Sequence, residues 1–149
     1  MKTKTAILLI LLFACKTLIA SDKLQPGVWE VAQITIDKNT DGRRGRKTHK
    51  KAAEVQSYVR CPQKWEVTES DTIVQYYDGG TAEKAVYTLE DNQLAVFTDV
   101  GFQTYRYELN EEKMTLTITH YYVNNLPSGH TENIEEIWTI ELIINVNVD

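Results

Sequence analysis

Lys113–Val123 reads KMTLTITHYYV and Glu132–Ile144 reads ENIEEIWTIELII. In the first stretch Met114, Leu116, Ile118, His120 and Tyr122 share one phase of a two-residue rhythm. Thr115, Thr117, Thr119 and Tyr121 occupy the other. Side chains alternate across a strand, so this is a strand with one dry and one wet face. In the second stretch Ile134, Glu136, Trp138, Ile140 and Leu142 hold the dry phase. Folding the two about Pro127-Ser128-Gly129 sets Tyr122 opposite Ile134, His120 opposite Glu136 and Ile118 opposite Trp138.

The same rhythm extends backwards through the chain, broken by turn residues. It predicts strands at Val28–Ile36, Trp65–Thr68, Thr72–Tyr77, Glu83–Leu89, Gln93–Thr98 and Thr104–Leu109. In the first of these the apolar phase changes midway. Trp29 and Val31 precede Ala32, Ile34 and Ile36, and a bulge would reconcile them. Asp78-Gly79-Gly80 has hairpin-turn chemistry, and 90–93 and 110–113 are polar loops of hairpin length. Asp37–Lys51 reads as a polar loop, and Ala52–Val59 as a short helix before the second strand, ended by Cys61-Pro62. The expected fold is all-β: an eight-stranded antiparallel up-and-down barrel, since closure removes exposed sheet edges. A two-sheet sandwich is the alternative.

The N-terminus predicts export. A short basic segment, Met1–Thr5, precedes Ala6–Ala14 (AILLILLFA), nine residues without a polar side chain. That run is too short to cross a bilayer about 30 Å thick as a helix. The expected organisation is a signal and tether over 1–20 and one barrel domain over 21–149, consistent with a 149-residue chain.

Charge is unevenly placed on a chain of net charge −5. Seven basic residues lie between Lys38 and Lys51 with one acid, Asp41. From Ala52 onward five basic side chains face seventeen carboxylates. So acidic a body repels nucleic acid. The basic stretch reads as a solvated loop.

Leu12-Phe13-Ala14-Cys15 resembles the bacterial lipobox, and the resemblance implies lipidation at Cys15. Ordinary cleavage before Ser21 is the competing reading. Leu24-Gln25-Pro26-Gly27-Val28-Trp29-Glu30 resembles the Gly-x-Trp that opens lipocalin-like barrels, and Thr98-Asp99-Val100 resembles a second motif of that family, with Val100 at its aromatic position. The chain as a whole looks like the small lipocalin-like lipoproteins of Gram-negative bacteria. That resemblance implies a calycin-type barrel with Gly27 and Trp29 at its closed end.

Candidate sites are few. Asp37-Lys38-Asn39-Thr40-Asp41-Gly42 opens like a calcium loop, but Thr48 stands where the bidentate Glu belongs and Arg43 and Arg44 oppose a cation. A turn is the better reading. Cys61 has no His-Asp setting and reads as a small buried hydrophobe. His49 and His130 lack metal-ligand spacing. His120 and Glu136 fall on dry phases, where polar groups need partners. They are the expected anchor for a ligand head group, with Trp138, Tyr122, Tyr105 and Tyr107 as apolar lining. The functional expectation is a lipid-anchored envelope binding protein for a small hydrophobic or amphipathic molecule. It would be monomeric, without cofactor, metal or catalytic set. An envelope interaction module with a filled barrel is the alternative.

Overall fold

A computed structural model describes residues 23–51, 54 and 61–145. Its strands are β1 (Gly27–Thr40), β2 (Arg43–Lys50), β3 (Lys64–Val67), β4 (Thr72–Tyr76), β5 (Ala82–Glu90), β6 (Gln93–Thr98), β7 (Gly101–Asn110), β8 (Lys113–Asn125) and β9 (Thr131–Ile144). From β3 to β9 each strand pairs antiparallel with the next, and β1 pairs with both β3 and β9. The sheet thus closes into an eight-stranded antiparallel barrel, with β2 as an extra strand on β1. Closure rules out the sandwich. The β8–β9 register sets Tyr122 opposite Ile134, His120 opposite Glu136 and Ile118 opposite Trp138, as the alternation required.

The phase change in β1 is a bulge. Its register with β9 shifts between Val31 and Gln33, leaving Ala32 as the extra residue. Trp29, Val31, Ile34 and Ile36 therefore all reach the core. The bulge also marks where β1 changes its other neighbour, from β3 at Gly27–Glu30 to β2 at Ile34–Thr40.

One expectation is corrected. Asp37–Lys51 is not a loop: β1 runs on to Thr40, turns at Asp41-Gly42 and returns as β2. The two turn residues have φ of 49° and 75°, the left-handed pair that a tight hairpin requires. Alternation could not reveal β2 because an edge strand outside the barrel has no core to face. Its basic side chains are of the kind that guard exposed edges. The β1–β2 register shifts between Asp37 and Asn39, and a Cβ on Gly45 would lie 2.5 Å from the Lys38 carbonyl oxygen. The calcium-like stretch is spent on this hairpin. Asp37 pairs with Arg44 at 3.2 Å, and Asp41 Oδ1 accepts the Asn133 N–H at 2.9 Å.

A 3-10 turn spans Asp78–Gly80. The short helix expected over Ala52–Val59 falls on residues outside the described set, apart from Glu54, and so do Cys15 and the 1–20 leader. The hairpins at the two expected polar loops are tight. Glu90 pairs with Gln93 and Asn110 with Lys113, leaving Asp91 and Glu111 at φ of 51° and 50°.

The core fills the barrel. Trp29, Trp65, Trp138, Leu94, Met114 and Leu116 are all fully buried, and each such side chain contributes roughly 1.5–3 kcal/mol by leaving water. Trp29 lies opposite Trp65 at the end where the N-terminal segment enters. Its indole N–H donates to the Gln25 carbonyl at 3.0 Å, and the Leu24 N–H donates to the Tyr87 hydroxyl at 3.1 Å. That end is plugged. The opposite end, where the β4–β5 and β6–β7 turns gather, is the mouth.

Candidate functional site at the barrel mouth

Below the mouth the inward positions are apolar. At the mouth, strand after strand turns a polar side chain inward: Gln75 on β4, Glu83 on β5, Thr98 on β6, Gln103 on β7, His120 on β8 and Glu136 on β9. Ladder pairing fixes the collar. Gln75 lies between Trp65 and Glu83, Gln103 opposite Val96, and His120 opposite Glu136. Gln75, Glu83, Gln103, His120 and Tyr77 bound a pocket of about 350 Å³. Val96, Val100 and Phe102 supply its apolar part, the last two being strongly exposed at the lip. The volume sits at the small end of the roughly 300–1,000 Å³ range of ligand sites.

Beneath this pocket the space nearly vanishes. Between Cys61, Tyr105, Ile118, His120 and Trp138 only about 10 Å³ remains, near the lower limit for a single water. The barrel is a filled cylinder with a shallow cup on top.

The expected site residues divide accordingly. His120 bounds the pocket. Its ring meets Trp138 edge-on, with centroids 5.3 Å apart and planes at 80°. Glu136 anchors the ring's neighbours: its carboxylate accepts the Tyr122 hydroxyl at 2.7 Å and the Trp138 indole N–H at 3.1 Å. Tyr105 lies deeper, packed edge-on against Trp65 at 5.9 Å, and its hydroxyl donates to Gln103 Oε1. Trp138 and Tyr105 form a floor rather than a lining. Tyr107 is not brought to the site. It pairs with Leu116, four residues along β8 from His120, and its neighbour is Tyr87 in the lower half.

Gln75, Tyr77, Glu83 and Gln103 escaped the sequence reading. Three of them carried the mark that singled out His120: a polar residue on an apolar phase. Gln75 shares the phase of Ile73, Glu83 that of Ala85 and Tyr87, and Gln103 that of Tyr105. Tyr77 joins two of them, its hydroxyl lying 3.2 Å from Gln75 Oε1 and 3.1 Å from Glu83 Oε2. One hydroxyl proton serves these two acceptors.

Burial lowers the His120 pKa, against a smaller upward pull from Glu136. The folded protein therefore holds this ring neutral at a pH where the unfolded chain, near 6.5, takes up a proton. More protons bound to the unfolded state means stability rising with pH. Acidification from pH 7.5 to 5.5 lowers the melting temperature through His120, and His120→Gln flattens that dependence. Calorimetry across this window checks it; an unchanged slope in the variant refutes it.

Cys61 is mostly shielded, and burial pushes its thiol up to about 12. The thiolate is the reactive form. Iodoacetamide at pH 8 should therefore leave the Cys61 peptide unlabelled in the native protein and label it fully in denaturant, as read by peptide mass spectrometry.

Comparison with known proteins finds no family model, no curated protein and no solved structure that matches this chain.

Proposed function

We propose that this chain is a lipocalin-like, lipid-anchored binding protein of the bacterial envelope that holds a small amphipathic molecule at the mouth of its barrel. The observation that carries the reading is the polar collar over a filled core. Inward polar side chains are costly unless partnered, and here they cluster around a pocket with room for a small molecule. The ligand's polar head faces Gln75, Gln103 and His120, and its apolar part lies against Val96, Val100 and Phe102. Gly27-Val28-Trp29, at the plugged end, fits the lipocalin-like resemblance, and Leu12–Cys15 the tether.

Native mass spectrometry of the protein purified from its own host tests the binding role. A non-covalent adduct of fragment size supports it; a bare chain at every collision energy opposes it. In the same spectrum a mature N-terminus at Cys15 carrying acyl chains supports the anchor, and a start at Ser21 removes it. His120→Ala should weaken ligand binding more than it lowers the melting temperature. The reverse ranking would give the ring a purely structural role.

A second reading, an envelope interaction module, is favoured by β2. This edge strand bears Arg43, Arg44, Arg46, Lys47 and Lys50, and among the described residues only Arg44 has an acidic partner. Loss of partner capture on reversing the charges of Arg43, Arg46 and Lys50, with ligand binding intact, would support it.

A further inference from the structure

We infer that the free edge of β2 takes up an acidic peptide segment as an added strand, held by backbone hydrogen bonds and by basic side chains on both faces of the sheet; this deepens the second reading above, the interaction module, and rests on it. The argument starts from the backbone. β2 pairs with β1 along one edge, and among the described residues no strand pairs with the other. Alternate residues of such a strand turn their N–H and C=O groups away from the sheet, ready for another chain. Arg43 to Lys47 and His49 are exposed, and Thr48 and Lys50 are half-buried. The bulge opposite Lys38 bends this edge without ending the ladder, which resumes at Lys47. A strand of ordinary length, about 5–6 residues, fits alongside the eight of β2.

The register divides the cations between the two faces. Arg43 lies opposite Thr40 and Lys50 opposite Ile34, on the phase of the core residues Ile34 and Ile36. Arg44 lies opposite Asn39 and Lys47 opposite Asp37, on the other phase. The Arg44–Asp37 contact at 3.2 Å confirms that those two side chains share a face. It also occupies the Asp37 carboxylate. Arg43, Arg46, Lys47 and Lys50 have no acidic partner among the described residues, and β2 itself carries no acid.

This division selects the class of partner. A flat anionic surface reaches one face of a sheet and leaves the cations of the other unanswered. An added strand lies in the plane of the sheet and sends successive side chains above and below it. Carboxylates on neighbouring residues therefore meet Arg44 and Lys47 on one face and Arg43 and Lys50 on the other. Opposite charges across a ladder stabilise the pairing, and like charges oppose it. The basic row thus keeps two β2 edges apart while favouring an acidic strand, so guarding and recruitment are one device.

Three probes separate backbone pairing from charge. The first is an acetylated eight-residue peptide of glutamate, valine and threonine, matched to β2 in length. The second is the same peptide N-methylated at every amide, and the third is dextran sulfate, a polyanion without amides. Each is titrated into the ¹⁵N-labelled full chain at pH 7.5 and followed by NMR. The plain peptide should shift the amide resonances of 43–50, slow hydrogen exchange at alternate residues there, and bind more weakly as salt rises. N-methylation should weaken it at least about tenfold. Arg43→Glu with Lys47→Glu, one change on each face, should lose the glutamate peptide and bind its lysine counterpart. Both side chains are exposed and β2 lies outside the closed barrel, so the cylinder persists; should this variant fail to fold, Arg43→Gln with Lys47→Gln carries the test through weakened binding of the glutamate peptide. Equal affinity of the N-methylated peptide, or binding without slowed exchange in β2, overturns strand addition and leaves the interaction module standing. Dextran sulfate that displaces the peptide at equal charge assigns the edge to a polyanion and overturns it likewise. Failure of both the peptide and dextran sulfate to bind at millimolar concentration sinks the interaction module itself.

Discussion

Aspartate in place of Leu142 unfolds the barrel, and aspartate in place of its neighbour Ile143 does not. Leu142 is fully buried on β9, opposite Met114 of β8 and Val31 of β1. It therefore sits on the ladder that closes the cylinder. Removing the leucine contacts alone costs about 2–5 kcal/mol. An unpaired carboxylate in the same place adds several more, whether it stays charged or takes up a proton. Together these approach the roughly 5–15 kcal/mol that holds a domain folded. Ile143 points outward, 48% exposed, opposite Lys113. Aspartate there stands between Lys113 of β8 and Glu30 of β1, one charge of each sign, and changes stability by no more than about 0.5 kcal/mol. Circular dichroism melts of the two variants decide the matter. Similar melting temperatures would mean that the inward and outward phases of β9 are misread.

Alanine in place of Trp138 has the second-largest effect, and it strikes both stability and binding. The indole is buried, meets His120 edge-on and donates to Glu136. Truncation of a buried aromatic costs about 3–5 kcal/mol, on the order of 10 °C or more in melting temperature for a domain this size. The Glu136 carboxylate keeps the Tyr122 hydroxyl but loses the indole N–H. His120 loses the ring that sets its angle, so under the proposed binding role ligand affinity falls alongside stability. Trp138→Phe separates the two roles. It retains most of the packing and restores most of the melting temperature, while the Glu136 contact stays lost. A Trp138→Ala protein that melts within about 2 °C of the wild type would show that the floor of the cup is not packed as described.

Sequence was legible wherever one face met the core and the other met water. Met114, Leu116 and Ile118 against Trp138, Ile140 and Leu142 set a register that a one-residue slip would have reversed. The bulge in β1 was visible because Trp29 and Ile34 stand out of phase. β2 was not, since a strand that buries neither face leaves no periodic trace; Asp41-Gly42 was its only local mark. At the mouth the same rule found His120 and passed over Gln75, Glu83 and Gln103, although each breaks an apolar phase. Periodicity tells which face a residue takes, and it does not give height along the barrel axis. Tyr107 illustrates this: it lies on the correct face at the wrong level, because level depends on how strands stagger around a closed sheet.

Under the proposed binding role, the solid packing beneath the cup also sets how a guest comes and goes. A deep calyx must part its strands or swing a lid before its cargo leaves. Here, among the described residues, arrival and departure would use one shallow opening. Capture should run at the ordinary encounter rates of about 10⁵–10⁷ M⁻¹s⁻¹, with residence time governed by escape alone. Such kinetics suit a shuttle that loads and unloads within a single pass better than a vault that stores.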